Sequence, residues 1–281
     1  MQTPGLHRYS LAVAALALIL IITGAVVTGT QPATPGPATP EQQIHQWFAA
    51  AVGLLTIGLA FRLARAAGQP GLRKLGWAAV VLVVVQAAIG MLAPSAGMIY
   101  AGFVHAILAQ LFFGLTVAIA VVTSGEWSAP AEQIEDQMRP PMPTLANITL
   151  AMVLVQITLG AAVRHKVMGA ISHIGFAIVV ALVALLLGMC VLHQAPQHRR
   201  LRPSAVRLMV IVGVQVFLGF GAFILKLMMA ETDLAVVIVT AAHVTTAALV
   251  LGSTVMLDLE LHRYMKAGVP HRAGARPTVA S

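Results

Sequence analysis

Residues 168–193 read MGAISHIGFAIVVALVALLLGMCVLH, an apolar run with no Asp, Glu, Lys or Arg. As a helix such a run is long enough to cross a hydrocarbon core of roughly 30 Å, which takes about 20 residues. Well inside it stands one ionisable ring, His173. An ionisable side chain in lipid is costly, and by default it marks a functional site with a partner. His45, His105 and His243 occupy three further runs of the same kind.

Working outward, similar runs recur near 9–30, 42–66, 74–94, 98–123, 143–164, 204–228 and 233–259, eight spans in all. The chain is 59% hydrophobic and 9% charged, against roughly 25% charged in a soluble domain. Long alternating strands are absent, which removes a β-barrel. The expectation is an all-α membrane protein whose eight transmembrane helices form two pseudo-repeated four-helix bundles. The first run, from Leu11 to about Val27, is longer than the apolar core of a secretion signal and lacks a small-residue cleavage site; it reads as a retained span.

Basic residues give the expected orientation. Arg62, Arg65, Arg73 and Lys74 separate spans two and three; Arg199, Arg200 and Arg202 separate spans six and seven; Arg263, Lys266, Arg272 and Arg276 follow span eight. These loops are read as cytoplasmic, with both termini on that side of a cell inner (plasma) membrane. The net charge of +8 then reflects topology and contact with anionic lipid, and nucleic acid is not an expected partner. The single cysteine, Cys190, cannot form an intrachain disulfide and reads as a small buried residue.

The spans repeat. Gln86-Ala-Ala-Ile-Gly90 lies on span three, Gln156-Ile-Thr-Leu-Gly160 on span five and Gln215-Val-Phe-Leu-Gly219 on span seven, each followed on the next span by His105, His173 or His243. Span one lacks the glutamine but carries Thr23-Gly24 and Thr28-Gly29, and His45 follows on span two. Residues four apart share a helix face. All four histidines therefore fall on even-numbered spans, near the same side of the membrane. The expected division is a bundle over 1–124, a cytoplasmic linker over 125–142, a second bundle over 143–263 and a disordered tail over 264–281. Each bundle would bring one histidine pair face to face, His45 with His105 and His173 with His243.

Neutral imidazole is a good iron ligand, and paired axial ligands tune haem iron. No intramembrane carboxylate or cysteine cluster is present to complete a zinc or copper shell. All nine acidic residues lie in loops, in the linker or near span ends, which argues against an ion-coupled transporter with buried acids. For the Gln-x-x-x-Gly motifs two readings stand: close helix packing through small residues, and contact with a cofactor. Arg164, His165 and Lys166 sit at the mouth of the second bundle. Arg164 or Lys166 either pairs with haem propionates or marks the interfacial end of span five.

With these residues in hand, the chain resembles the haem A synthase family of cytochrome oxidase assembly proteins over nearly all of residues 10–262. The resemblance rests on the eight repeated spans, Ile44-His45 opening span two, the three Gln-x-x-x-Gly motifs, Gly160-Ala-Ala-Val-Arg164 closing span five and His105-Ala-Ile-Leu-Ala-Gln110 on span four. It implies an oxidoreductase that converts the C8 methyl of haem O to a formyl group, giving haem A for cytochrome c oxidase. It implies a b-type haem between His173 and His243, with Arg164 beside it, and substrate haem O handled at His45 and His105. It also implies an external electron donor and, as a partner, the enzyme that makes haem O; a homo-oligomer is compatible with it.

The chain departs from the family twice. Where the family has a glutamate three residues before the first histidine, this chain has Gln42, with Glu41 one position earlier. Glu41 either supplies the missing carboxylate from the same helix face or serves the dipole of a helix beginning at Pro40. The loop Gln31–Pro40 is short, proline-rich and free of the cysteine pair that many members carry. Two rival readings follow: a non-enzymatic haem protein for delivery, oxidase assembly or electron transfer, and a transporter with histidines along its path.

Overall fold

The computed structural model describes residues 4–30, 37–66, 70–92 and 99–267. Among them are eight helices long and apolar enough to cross a membrane: α1 (Pro4–Thr30), α2 (Pro40–Ala64), α3 (Pro70–Leu92), α4 (Ile99–Val122), α6 (Met142–Arg164), α7 (Ala170–Gln194), α8 (Leu201–Met228) and α9 (Leu234–Tyr264). A one-turn helix, α5 (Gly125–Ser128), and two three-residue strands, β1 (Ile134–Asp136) and β2 (Met265–Ala267), complete the elements. The protein is an all-α membrane protein, as its composition requires: in lipid each backbone N–H and C=O must be satisfied within its own segment.

Helix α1 packs on α2 and α4, and α3 closes the ring between α2 and α4. Helices α6 to α9 repeat this arrangement, α9 returning to α6. The two rings meet where α1 and α4 lie against α9, and α4 also against α6. Small residues let these backbones approach: Gly29 of α1 meets Val237 of α9, and Gly252 of α9 meets the Phe113 ring of α4. One apolar core gathers Val13, Leu59, Phe112 and Ile119, and a second gathers Val153, Leu187, Leu208 and Leu257. Leu54, Val81, Leu182 and Phe217 are exposed, as expected where the surrounding solvent is hydrocarbon.

Two local signals fix where the histidine-bearing helices start. Thr39 caps α2: its hydroxyl accepts from Gln42 N at 3.4 Å, while Gln42 Oε1 accepts from Thr39 N at 2.9 Å. This reciprocal pair sits just before Pro40, the first helical residue. Between α6 and α7 the chain turns within five residues, with Lys166 at a positive φ of 58° and Val167 N donating to Ala162 O at 2.8 Å.

At the opposite end the linker has its own structure. β1 pairs in parallel with β2, Ile134 opposite Met265 and Asp136 opposite Ala267. The Asp136 carboxylate accepts from Met138 N at 2.9 Å and from Met142 N at 2.6 Å, holding the start of α6. Arg263 stacks over the Trp127 ring and donates to the carbonyls of Glu126 and Ala129. Four residues of the segment expected to be a disordered tail, 264–267, belong to regular elements. Tyr264 completes α9 and Met265–Ala267 form β2, held by the linker pairing; residues 268–281 lie outside the described residues, as do 31–36 of the proline-rich loop.

Candidate functional site: two histidine pairs on glycine shelves

His45 enters from the second turn of α2 and His105 from the second turn of α4; their ring centres are 6.4 Å apart at 80°. His173 of α7 and His243 of α9 repeat this with 6.3 Å and 89°. Each ring lies against a glycine of the preceding long helix. A Cβ built on Gly90 or Gly219 would stand 2.8 Å from the Cε1 of His105 or His243, on Gly160 2.9 Å from that of His173, and on Gly24 3.1 Å from that of His45. Carbon atoms do not approach so closely without movement, so each glycine is the space its histidine occupies. The helix-packing reading of Gln-x-x-x-Gly and the cofactor reading therefore converge on the same residue.

Hydrogen bonds orient the rings. Thr23 Oγ1 donates to Leu20 O at 3.0 Å, so at 2.9 Å from His45 Nδ1 it acts as the acceptor. His105 Nδ1 lies 2.9 Å from the carbonyl of Gln86, which only accepts. In both rings the proton is thereby held on Nδ1 and the Nε2 lone pair is left for a ligand, the arrangement typical of metal-binding histidines. In the second pair the partners are amides and the pattern differs: Gln156 Nε2 is 3.0 Å from His173 Nδ1, whereas Gln215 Nε2 is 3.3 Å from His243 Nε2, and His243 Nδ1 is buried without a partner. Both Oε1 atoms are buried without a partner. Gln156 Nε2 also donates to the His173 carbonyl at 3.0 Å, which only accepts; this fixes the amide with its nitrogen toward His173 and ties side chain and backbone of the histidine to α6.

The pair spacing tests what such rings can hold. A metal held between two imidazoles by bonds of about 2.0–2.1 Å would keep their ring centres roughly 6 Å apart if a nitrogen of each faced it from opposite sides. Both pairs match. Among the described residues there is no group of three or more His, Cys, Asp or Glu. Two imidazoles alone do not complete a tetrahedral shell, whereas a porphyrin supplies the remaining nitrogens itself. The donor set fits haem.

All four histidines and all four glycines line one cavity of about 2100 Å³, roughly twice the upper end of ordinary small-molecule sites. Its mouth, where α1, α3, α6 and α8 end, carries Arg164 and Lys226 of the second ring and also His165. The Arg164 guanidinium reaches across to donate to Ala25 O of α1, one residue from the His45 shelf. Lys166 does not line the cavity; it pairs with Glu231 at 3.0 Å on the exposed rim. That hydrogen bond holds the Glu231 carboxyl below its ordinary range. Burial, with help from Arg164 and His105, pushes the His165 imidazole down to about 4.

Glu41 stands in the first turn of α2, but the cavity wall there is built by Gln42, His45 and Gln46. No Asp or Glu lines the cavity among the described residues. Three lining residues carried no functional assignment from sequence: Lys226, His165 and Gln110. Lys226 had a signal, since it follows Gln215 by eleven residues, three helical turns, and so shares its face. No model of a known protein family matches the chain, and a comparison with curated proteins also finds no match.

Proposed function

We propose that this protein is a haem-binding membrane oxidoreductase of the haem A synthase kind, converting haem O to haem A. The observation that carries the reading is the repetition of one geometry: two histidine pairs, 6.3 and 6.4 Å between ring centres, on glycine shelves in one apolar cavity. On this reading His173 and His243 hold a b-type haem, with Arg164 and Lys226 placed at the mouth to meet its propionates. When bound, that haem supplies one-electron storage between an external donor and the first site. His45 and His105 hold the substrate haem O, Thr23 and the Gln86 carbonyl keeping each Nε2 free for its iron. The apolar wall excludes water from the methyl group to be oxidised. Dioxygen is the oxidant, with two electrons and two protons taken up per round. Two hydroxylations of the C8 methyl, each releasing one water, would give a geminal diol that loses water to the formyl group. The basic loops favour an inner-membrane protein with the α5–β1 end in the cytoplasm.

A second reading is a haem protein without turnover, serving delivery or oxidase assembly. It is favoured by Gln42 in place of a glutamate, with no carboxylate on the cavity wall among the described residues. The deciding experiment is expression with a haem O source, extraction of bound haems and mass identification. Haem A above the empty-vector level, lost in His45→Ala, supports the enzyme. Bound haem b with no haem A, in a host that supplies electrons, supports the second reading.

A further inference from the structure

The two rings of helices differ in how their glutamines are employed. In the second, Gln156 and Gln215 both address histidines. In the first, His105 Nδ1 takes the backbone carbonyl of Gln86 at 2.9 Å and not its side chain. Gln86 is 4% exposed and Gln110 6% exposed, both line the cavity, and the Oε1 of each is buried with no hydrogen-bond partner. Two amide oxygens buried without a partner are costly to leave so, and a ligand that donates to them removes that cost.

Their placement says what kind of ligand group would do so. Helices α3 and α4 are antiparallel neighbours. Gln110 lies five residues beyond His105 along α4, about 7.5 Å deeper from the mouth at 1.5 Å per residue. Gln86 lies four residues before Gly90, the shelf under His105, about 6 Å deeper on the same scale. Both amides thus stand at similar depth on adjacent helices, displaced from the iron-binding level by about the reach from a tetrapyrrole's centre to its peripheral substituents. The second ring keeps the counterparts of Gln86, since Gln156 and Gln215 also carry a buried Oε1 without a partner, but it has no counterpart of Gln110: five residues beyond His173 is Ile178 and five beyond His243 is Ala248, fully buried in the core.

Resting on the haem reading above, we infer that Gln86 and Gln110 form a hydrogen-bonding subsite for a hydroxyl on the membrane-deep edge of the porphyrin held by His45 and His105. A hydroxyl is both donor and acceptor, so it can satisfy an amide oxygen and an amide nitrogen together. Haem O carries a hydroxyl on the carbon joining its isoprenoid arm to the ring; haem b carries a vinyl group there. The subsite therefore makes the first pair selective for the hydroxylated porphyrin, while the second pair, whose glutamine nitrogens engage its histidines and which has no counterpart of Gln110, discriminates less.

The test separates the hydroxyl from the isoprenoid tail. Iron haematoporphyrin, with hydroxyethyl arms, and iron mesoporphyrin, with ethyl arms, are titrated into the purified full chain, and the His45-dependent part is taken by difference from His45→Ala. The wild type should prefer the hydroxyethyl haem at this site. The preference should fall about 3–10-fold in Gln86→Met/Gln110→Met, as expected for loss of hydrogen bonds; methionine keeps the length and flexibility of the side chain. Mesohaem affinity should hold or rise. If the double variant loses its thermal transition, the two single variants carry the same comparison in smaller steps. His45-dependent binding with an unchanged ratio overturns this inference and leaves the haem reading intact. No His45-dependent binding of either haem overturns both.

Discussion

A glycine that exists to house an imidazole makes a graded prediction at the scale of single residues. Alanine at position 90 or 219 would place a methyl 2.8 Å from a ring carbon, at 160 2.9 Å, and at 24 3.1 Å. Haem occupancy, read from Soret absorbance per protein, should therefore fall most in Gly90→Ala and Gly219→Ala and least in Gly24→Ala. The second-ring substitutions should remove the b-type haem and the first-ring ones the substrate haem. Equal, small losses at all four positions would mean that the shelves merely pack helices. Gln42 allows a gain to be sought. Glutamate serves a capping box as well as glutamine does, so Gln42→Glu should keep the start of α2 intact, within about 0.5 kcal/mol, while adding a carboxylate to the cavity wall. Haem A yield should rise if a carboxylate is what the site lacks; an unchanged yield in a well-folded variant counts against that view.

The histidines, their glycines and the glutamines were legible at this scale because membrane helices leave few polar residues to choose among. Glu41 and Gln42 were not separable by spacing, since both lie on His45's side of the helix. The structure distinguishes them through the cap, which draws the Gln42 amide back to Thr39 N and leaves Gln42, not Glu41, on the wall. Gln110 was quoted in the sequence but given no role, because a glutamine's partner, or lack of one, depends on a neighbouring helix.

Among the elements, the eight long helices followed directly from composition, with ends displaced by a few residues. The parallel β1–β2 pair did not, being two three-residue segments 131 positions apart in register, too short to show a pattern and joined only by tertiary contact. It gives the linker a stability role through Asp136, whose carboxylate accepts from Met138 N in the linker and from Met142 N at the start of α6. Asp136→Ala should cost about 1–2 kcal/mol, the size of a lost cap, seen as a lower thermal midpoint with haem content per folded protein unchanged.

The link between α6 and α7 gives a pH prediction. The His165 imidazole in the folded protein titrates near 4, below the ordinary value of about 6.5, so the folded state binds fewer protons than the unfolded one between these values. Stability from this group is complete above about 6.5, falls as pH drops through the interval, and levels off below about 4. Thermal midpoints of wild type and His165→Asn should converge as pH falls from 7 to 4; a constant gap would show that His165 does not titrate in this range.

For the whole molecule, two rings of helices share one cavity, and among the described residues the cations at its mouth come from the second ring. That asymmetry, Arg164 and Lys226 on one side against Thr28 four residues after Gly24 on the other, suits a permanently held dianionic cofactor beside an exchangeable one. It also makes the two pairs separable by mutation. The central claim is tested most directly by counting haems per chain in protein purified from cells supplied with haem O, comparing wild type with His45→Ala/His105→Ala and His173→Ala/His243→Ala. The account expects occupancy approaching two in the wild type, b-type haem retained without the substrate haem in the first variant, and loss of the b-type haem in the second. Haem lost equally from both variants, or absent from the wild type, would contradict it.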